Sequence, residues 1–159
     1  MQSGFLDNVM PFISSLANFG FIWILTGVIF IAIKKYRATG FAVLIALLIG
    51  ALTGNVILKP LVARVRPCDI NSTIKLLIIH PEGCSFPSGH TLASFAAATA
   101  ILRRVKGIGI FALMLAVAIA FSRLYLYVHY PSDVLGGIFI GIVSGLFADL
   151  IVSKLSLDK

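Results

Sequence analysis

Long apolar runs, broken by a few compact polar blocks, make up most of this chain. In residues 5–16, Phe5, Leu6, Val9, Phe12, Ile13 and Leu16 fall near helical spacing, while Asp7, Asn8, Ser14 and Ser15 are polar and Pro11 interrupts. That pattern predicts a short helix lying in a membrane interface. Residues 17–33 are apolar apart from Asn18 and Thr26 and stop at Lys34, Lys35 and Arg37, as a spanning helix does. Residues 41–58 predict a second span. Residues 59–87 are polar, and their one apolar run, 76–79, is far too short to cross a bilayer, so the stretch predicts a structured external loop. Residues 90–102 begin a third span, halted at Arg103, Arg104 and Lys106, and residues 108–121 a fourth. Both are lean and are expected to extend into the flanking polar blocks, because a span must satisfy its own backbone hydrogen bonds. Residues 134–152 form the fifth.

The chain is 59% hydrophobic and 12% charged, against about 25% charged for a typical globular protein. This composition predicts an integral membrane protein of the all-α class. The expected architecture is a polytopic helix bundle of about five transmembrane helices plus the short N-terminal interfacial helix, in a single domain over residues 1–159. The net charge of +7 does not point to nucleic acid, because the cations are scattered between apolar runs without an aromatic-basic patch. Membrane lipids with anionic headgroups are the expected partners. No basic region precedes the first apolar stretch, so a cleaved secretory signal is not expected. Lys34, Lys35, Arg37, Arg103, Arg104, Lys106, Lys154 and Lys159 fall at one set of span ends. The positive-inside rule makes those ends cytoplasmic, which puts the N-terminus outside and the C-terminus inside a plasma membrane. Three polar blocks that are far apart in sequence then meet at the outer face.

The first block holds Lys59 and Arg66 around a turn stiffened by Pro60 and Pro67. A rigid pair of cations suits fixed anion oxygens, although snorkelling interfacial cations would look the same in isolation. Arg64 either joins them or faces headgroups. The second block is Pro87-Ser88-Gly89-His90. Ser88 suits a helix N-cap and Gly89 leaves backbone amides uncovered, so amides and helix dipole could hold a phosphate; an ordinary cap is the bland alternative. The third block is Ser122-Arg123 followed by His129 and Asp133. A carboxylate four residues after a histidine can fix its tautomer and free the other ring nitrogen for attack, or it can merely complement the dipole of the helix starting at Pro131.

Read together, K-x6-R-P at Lys59 to Pro67, P-S-G-H at Pro87 to His90 and S-R-x5-H-x3-D at Ser122 to Asp133 resemble the full signature of the type 2 phosphatidic acid phosphatase superfamily. The resemblance implies His129 as nucleophile, Asp133 as its partner and His90 as general acid. It implies Lys59, Arg66, Ser88, Gly89 and Arg123 as phosphate-binding positions, and neither metal nor cofactor. The implied activity is hydrolysis of a lipid phosphate or diphosphate at the outer face through a phosphohistidine. Undecaprenyl diphosphate comes first among the substrates it implies, with phosphatidylglycerol phosphate or phosphatidic acid as alternatives. Soluble vanadium haloperoxidases share the signature, but the spans argue against that chemistry. A lipid-phosphate binder or transporter would need the cations but has little use for both histidines, and a structural or channel subunit would leave the polar blocks unexplained.

Three further features stand outside the signature. Cys68 and Cys84 could form a disulfide stapling two blocks together, or stay two unpaired small apolar residues. Gly137, Gly141 and Gly145 recur every fourth residue in the fifth span, favouring close packing within the bundle over dimerisation. A monomer is therefore favoured, with the oligomeric state open. His80 is expected to be a plain loop residue, and Asp149, late in the fifth span, has Lys154 as its suggested partner.

Overall fold

A computed structural model describes residues 4–155, so Lys159 lies outside the described residues. Eight α-helices follow one another: α1 Gly4–Leu16, α2 Phe21–Ala32, α3 Arg37–Gly50, the single turns α4 Lys59–Val62 and α5 Pro67–Ile70, then α6 Gly89–Arg104, α7 Lys106–Tyr125 and α8 Pro131–Lys154. The expected all-α membrane bundle is what the chain forms. The spans at α6, α7 and α8 do run into their polar flanks, because backbone groups at a span end are satisfied by further helical turns.

The first two elements differ from expectation. The interfacial helix and first span are two limbs bent by 43°, which meet the length and apolarity of a span only when taken together. Phe19 and Gly20, both with positive φ (53° and 71°), make the corner, where glycine's missing Cβ removes the usual strain. The second span is also longer than its apolar run. Helical backbone continues from Lys34 to Val62, where Ala63 turns left-handed at φ 47°, with residues Ala51–Leu58 in the wider π form, whose rare turns often mark functional sites. Among the described residues three helices are long and apolar enough to cross alone, and up to four if the bent pair is one span. α6 has 16 residues, roughly 24 Å at 1.5 Å per residue, and is enclosed by its neighbours rather than by lipid.

Packing follows the membrane pattern of small residues inside and large ones outside. Ala42, Ala46, Ala96, Ala97, Ala116 and Ala148 are fully or almost fully buried, whereas Phe111, Phe139, Val56 and Met114 are exposed on the flanks, where lipid tails would cover them. The glycine stripe of α8 faces α6. A Cβ on Gly141 would meet the Leu92 carbonyl at 2.6 Å, and one on Gly145 the Thr99 Cβ at 2.6 Å. The stripe thus serves close approach inside the bundle, as expected. It fixes the N-termini of α6 and α8 side by side, which is what positions the site.

Candidate functional site

Both expected histidines lie at one end of the bundle. His129 is on the short connection between α7 and α8, and His90 is in the first turn of α6. Tyr127, in the left-handed region at φ 59°, turns the chain out of α7 so that His129 points inward, only 5% exposed. Pro131 then fits the first turn of α8, where no amide hydrogen is needed. The backbone amide of Ser88 donates to the Asp133 carbonyl at 3.1 Å, tying the second block to the third.

Asp133 is completely buried. Its Oδ2 lies 3.5 Å from His129 Nδ1, the outer limit of a useful contact. Closer contacts come from Ser85, whose Oγ donates to the same oxygen at 2.5 Å and sits 3.4 Å from His129 Nδ1, and from the Tyr130 amide at 2.9 Å. With its own proton given to Asp133, Ser85 can only accept from Nδ1. That leaves the lone pair of His129 on Nε2, and Arg66 Nη1 lies 3.3 Å from it. Arg64 completes the shell, bonding Asp133 Oδ1 at 2.9 Å and Ser132 Oγ at 2.6 Å while its guanidinium rests over the Tyr130 ring. Burial is the main force on the His129 ring and pushes its pKa down from 6.5 to about 4, with the hydrogen bond to Asp133 opposing and the Arg123 and Arg66 charges assisting. The ring is neutral at physiological pH.

Three cations surround the histidines. Arg66, 4% exposed, is pinned by the carbonyls of Glu82, Gly83, Cys84 and Val128. Arg123, 3% exposed, donates from Nη1 to Ser14 Oγ, while its Nε is buried with no partner among the described residues. Lys59 places its ammonium 3.8 Å from where a Gly89 Cβ would stand, an ordinary contact distance that sets it beside the first turn of α6. Ser88 occupies the N-cap position but does not cap. Its hydroxyl accepts from Thr91 Oγ1 at 2.9 Å, and the first-turn amides of α6 receive no side-chain oxygen from it. His90 Nε2 bonds Asn18 Oδ1 at 2.9 Å; since that oxygen only accepts, the ring carries its hydrogen on Nε2.

From this polar end an apolar groove of about 600 Å³ runs down the bundle, with Lys59, Asn55, Gly89 and His90 at its mouth and Ile24, Leu44, Leu47, Leu48 and Leu92 along it. Every residue named by the three blocks is thus at or near this end. No motif marks Ser85, Ser14, Asn18 or Asn55; the signal they carry is a polar residue inside or beside an apolar helical run. Arg64, left between two readings, is a partner of Asp133.

The chain matches the PAP2 superfamily over residues 35–156. It belongs to that superfamily. Among its relatives, an undecaprenyl-diphosphatase from Sulfolobus acidocaldarius is 32% identical over 141 residues, spanning 88% of this chain and 68% of the relative. The crystal structure of Aquifex aeolicus LpxE superposes with a TM-score of 0.81 at 26% identity, covering 92% of this chain and 87% of LpxE. A PAP2 type phosphatidylglycerolphosphate phosphatase from Bacillus subtilis gives a TM-score of 0.77 at 27% identity, covering 98% and 80%. Membership of the superfamily and the all-α bundle therefore stand on similarity over most of the chain, not on three short blocks alone.

The cysteines depart from the expected staple. Both are free thiols, Cys68 buried and Cys84 half-buried. Cys68 turns instead toward His80, with Sγ 3.8 Å from Nε2 and 3.9 Å from Asp69 Oδ1, while Asp69 takes His80 at 2.7 Å. His80 is therefore more than a plain loop residue. Among the described residues this trio is the one grouping whose donor atoms are spaced to hold a metal ion, and it is built on α5 and the outer loop rather than on the histidine pair. Asp149 also has other partners than Lys154: Arg103 at 3.0 Å and Arg104 at 2.8 Å, because α6 ends beside α8.

Proposed function

We propose that this protein is a membrane lipid phosphatase in which His129 attacks phosphorus through Nε2, forming a phosphohistidine that water then hydrolyses. The observation carrying this reading is the buried Ser85–Asp133–His129 arrangement, which fixes the tautomer and leaves Nε2 facing Arg66. The sequence of events is an exchange at that contact. A phosphate oxygen takes the Arg66 donor from Nε2, and the freed lone pair makes the new bond in line with the leaving oxygen. His90, charged by a second ring proton taken from solvent while Asn18 holds its Nε2–H, protonates that oxygen as the lipid alcohol or phosphate departs and returns to the neutral ring. Asp133 stabilises the cationic ring that results. Lys59, Arg66, Arg123, the Ser88 hydroxyl and the first-turn amides of α6 from Gly89 onward surround the phosphoryl oxygens as negative charge develops. Each preorganised donor contributes on the order of 3 kcal/mol when water is excluded. No protein ligand set for a metal adjoins the histidines among the described residues, so the cations and amides carry that role in the proposed mechanism.

The lipid character of the substrate is supported by the apolar groove that opens at His90 and Lys59. We favour an isoprenoid diphosphate, undecaprenyl diphosphate, presented at the outer face of the plasma membrane, on the strength of the relative bearing that name. The runner-up is a glycerophospholipid monophosphate, supported by the similar Bacillus subtilis structure. Phosphate release from purified protein in detergent separates the two, assayed on undecaprenyl diphosphate, phosphatidylglycerol phosphate and phosphatidic acid with and without chelator. Activity on the first that survives chelation is the expected result. No release from any of the three would refute the lipid phosphatase reading, and a stronger rate on either phospholipid would transfer the assignment to it.

A further inference from the structure

The end of the bundle away from the histidines holds a second cavity, of about 750 Å³, between the 34–36 turn, the end of α6 and the end of α8. Lys34, Lys35, Arg37, Arg103 and Arg104 line it, with Asp149 as the one carboxylate among its lining residues. Asp149 engages both arginines, and Arg104 is held further by Ser153 Oγ at 3.0 Å. Among the described residues, Lys34, Lys35 and Arg37 pair with no carboxylate. Lys35 rests over the Tyr36 ring at 5.4 Å and Arg37 donates to the Ile31 carbonyl at 3.3 Å. Neither α3 nor α7, which start beside the cavity, has a side-chain cap, so both dipoles add positive potential there.

Cations grouped around a recess raise one another's energy unless an anion joins them. The positive-inside rule accounts for cations at this end but not for their convergence on one cavity, nor for a buried carboxylate that holds two arginine forks at its wall. We propose that this cavity binds a phosphoryl anion, with the guanidinium forks of Arg103 and Arg104 and the ammonium groups of Lys34 and Lys35 around its oxygens. Its level, at the ends of the spanning helices, is that of phospholipid headgroups. An anionic phospholipid of the adjoining leaflet and free phosphate both present this chemistry. Once bound, the anion would clamp the 34–36 turn to α6 and α8.

The test uses the full chain, purified in neutral detergent, stripped of lipid and titrated separately with phosphatidylglycerol, phosphatidylcholine and inorganic phosphate. The readouts are melting temperature and retained lipid by native mass spectrometry. The expected result is about one phosphatidylglycerol retained per chain with a raised melting temperature, no such effect of phosphatidylcholine, and binding about tenfold weaker in the Lys35→Gln/Arg37→Gln double variant. If inorganic phosphate stabilises the protein or displaces the lipid, the site takes free phosphate as well; if it does neither, the ligand is the headgroup. Should the double variant fail to fold, the single Lys34→Gln and Lys35→Gln variants on the exposed turn replace it, each with several-fold weaker binding. Phosphatidylglycerol retention that is unchanged in these variants, or matched by phosphatidylcholine, overturns the proposal.

Discussion

The two ends of the bundle are built from the same helices and both collect cations, yet they handle charge in opposite ways. At the histidine end Arg66, Arg123, His129 and Asp133 are each 5% exposed or less, and most are fixed by several protein partners. At the other end Lys34, Lys35, Arg37 and Arg103 are exposed, and the one carboxylate lining their cavity, Asp149, pairs with Arg103 and Arg104. Burial makes electrostatic interactions stronger and holds donors in place before a substrate arrives, which suits a reaction with one demanded geometry. Exposed ammonium groups on flexible stems tolerate many anion positions, which suits binding without chemistry. The contrast lies in preorganisation, since the number of positive charges at the two ends is similar.

If that contrast is right, changes at the histidine end should remove turnover and leave the fold standing. His129→Ala is expected to lower phosphate release by roughly 10⁴-fold or more, with unchanged elution from a sizing column; residual activity near wild type would eliminate it as nucleophile. Asp133→Asn should cost about 10³-fold, somewhat less because Ser85 still accepts from Nδ1 while the charge that stabilises the cationic ring is lost. Trapping of a phosphorylated intermediate by rapid quench into alkaline detergent, in which a phosphohistidine survives, checks both, since labelled phosphate should fail to attach in His129→Ala and attach slowly in Asp133→Asn.

How much of this was legible beforehand depends on range. The three blocks carried their identities in local spacing, and the helices carried theirs in apolar runs, so His90, His129, Asp133 and the cations could be named from the chain. Ser85 could not, because nothing in its neighbourhood says that it will meet residues 44 and 48 positions away. Asn18 and Ser14 were hidden for a similar reason: an isolated polar residue in an apolar helix has no periodic signature, and its partner lies 72 or 109 positions off. Asp149 was given the wrong partner because nearness in sequence to Lys154 is not nearness in space, whereas the end of α6 is brought beside it by the glycine stripe. The bend at Phe19 and Gly20 was missed because an apolar run continues through it.

Ser85→Ala sharpens the contrast at a smaller scale. One hydrogen bond is removed from Asp133 and from His129, so kcat should fall about tenfold, the effect of about 1.4 kcal/mol, with little change in KM. The same ring sets the acid side of the pH profile. An ordinary histidine is half protonated at 6.5, whereas burial keeps His129 neutral down to about 4, so kcat/KM should hold as pH falls through 6 and decline only toward 4. Stability takes the opposite cost. The unfolded ring gains its proton from about 6.5 downward while the folded ring resists, so the fold weakens across the window between those two values. An acid limb centred at 6.5 would mean that the nucleophile is not this buried ring.

The smallest effects should come from the stripe that joins the two ends. A Cβ at Gly145 meets Thr99 Cβ at 2.6 Å and the Ala96 carbonyl at 2.7 Å, while one at Gly137 meets the Ser88 carbonyl at 2.9 Å and Thr91 Cβ at 3.1 Å. Both alanine variants overpack the contact between α6 and α8 and should lose about 1–3 kcal/mol of stability, the Gly145 variant at least as much, by thermal melting in detergent. Activity should separate them. Gly137→Ala pushes on Ser88, whose amide is tied to Asp133, so it should lower kcat several-fold, whereas Gly145→Ala disturbs only packing well down the helix. Equal kcat losses in the two variants would show that the histidine end senses general loosening of the bundle and is not locally preorganised, and the difference drawn between the two ends would fail there.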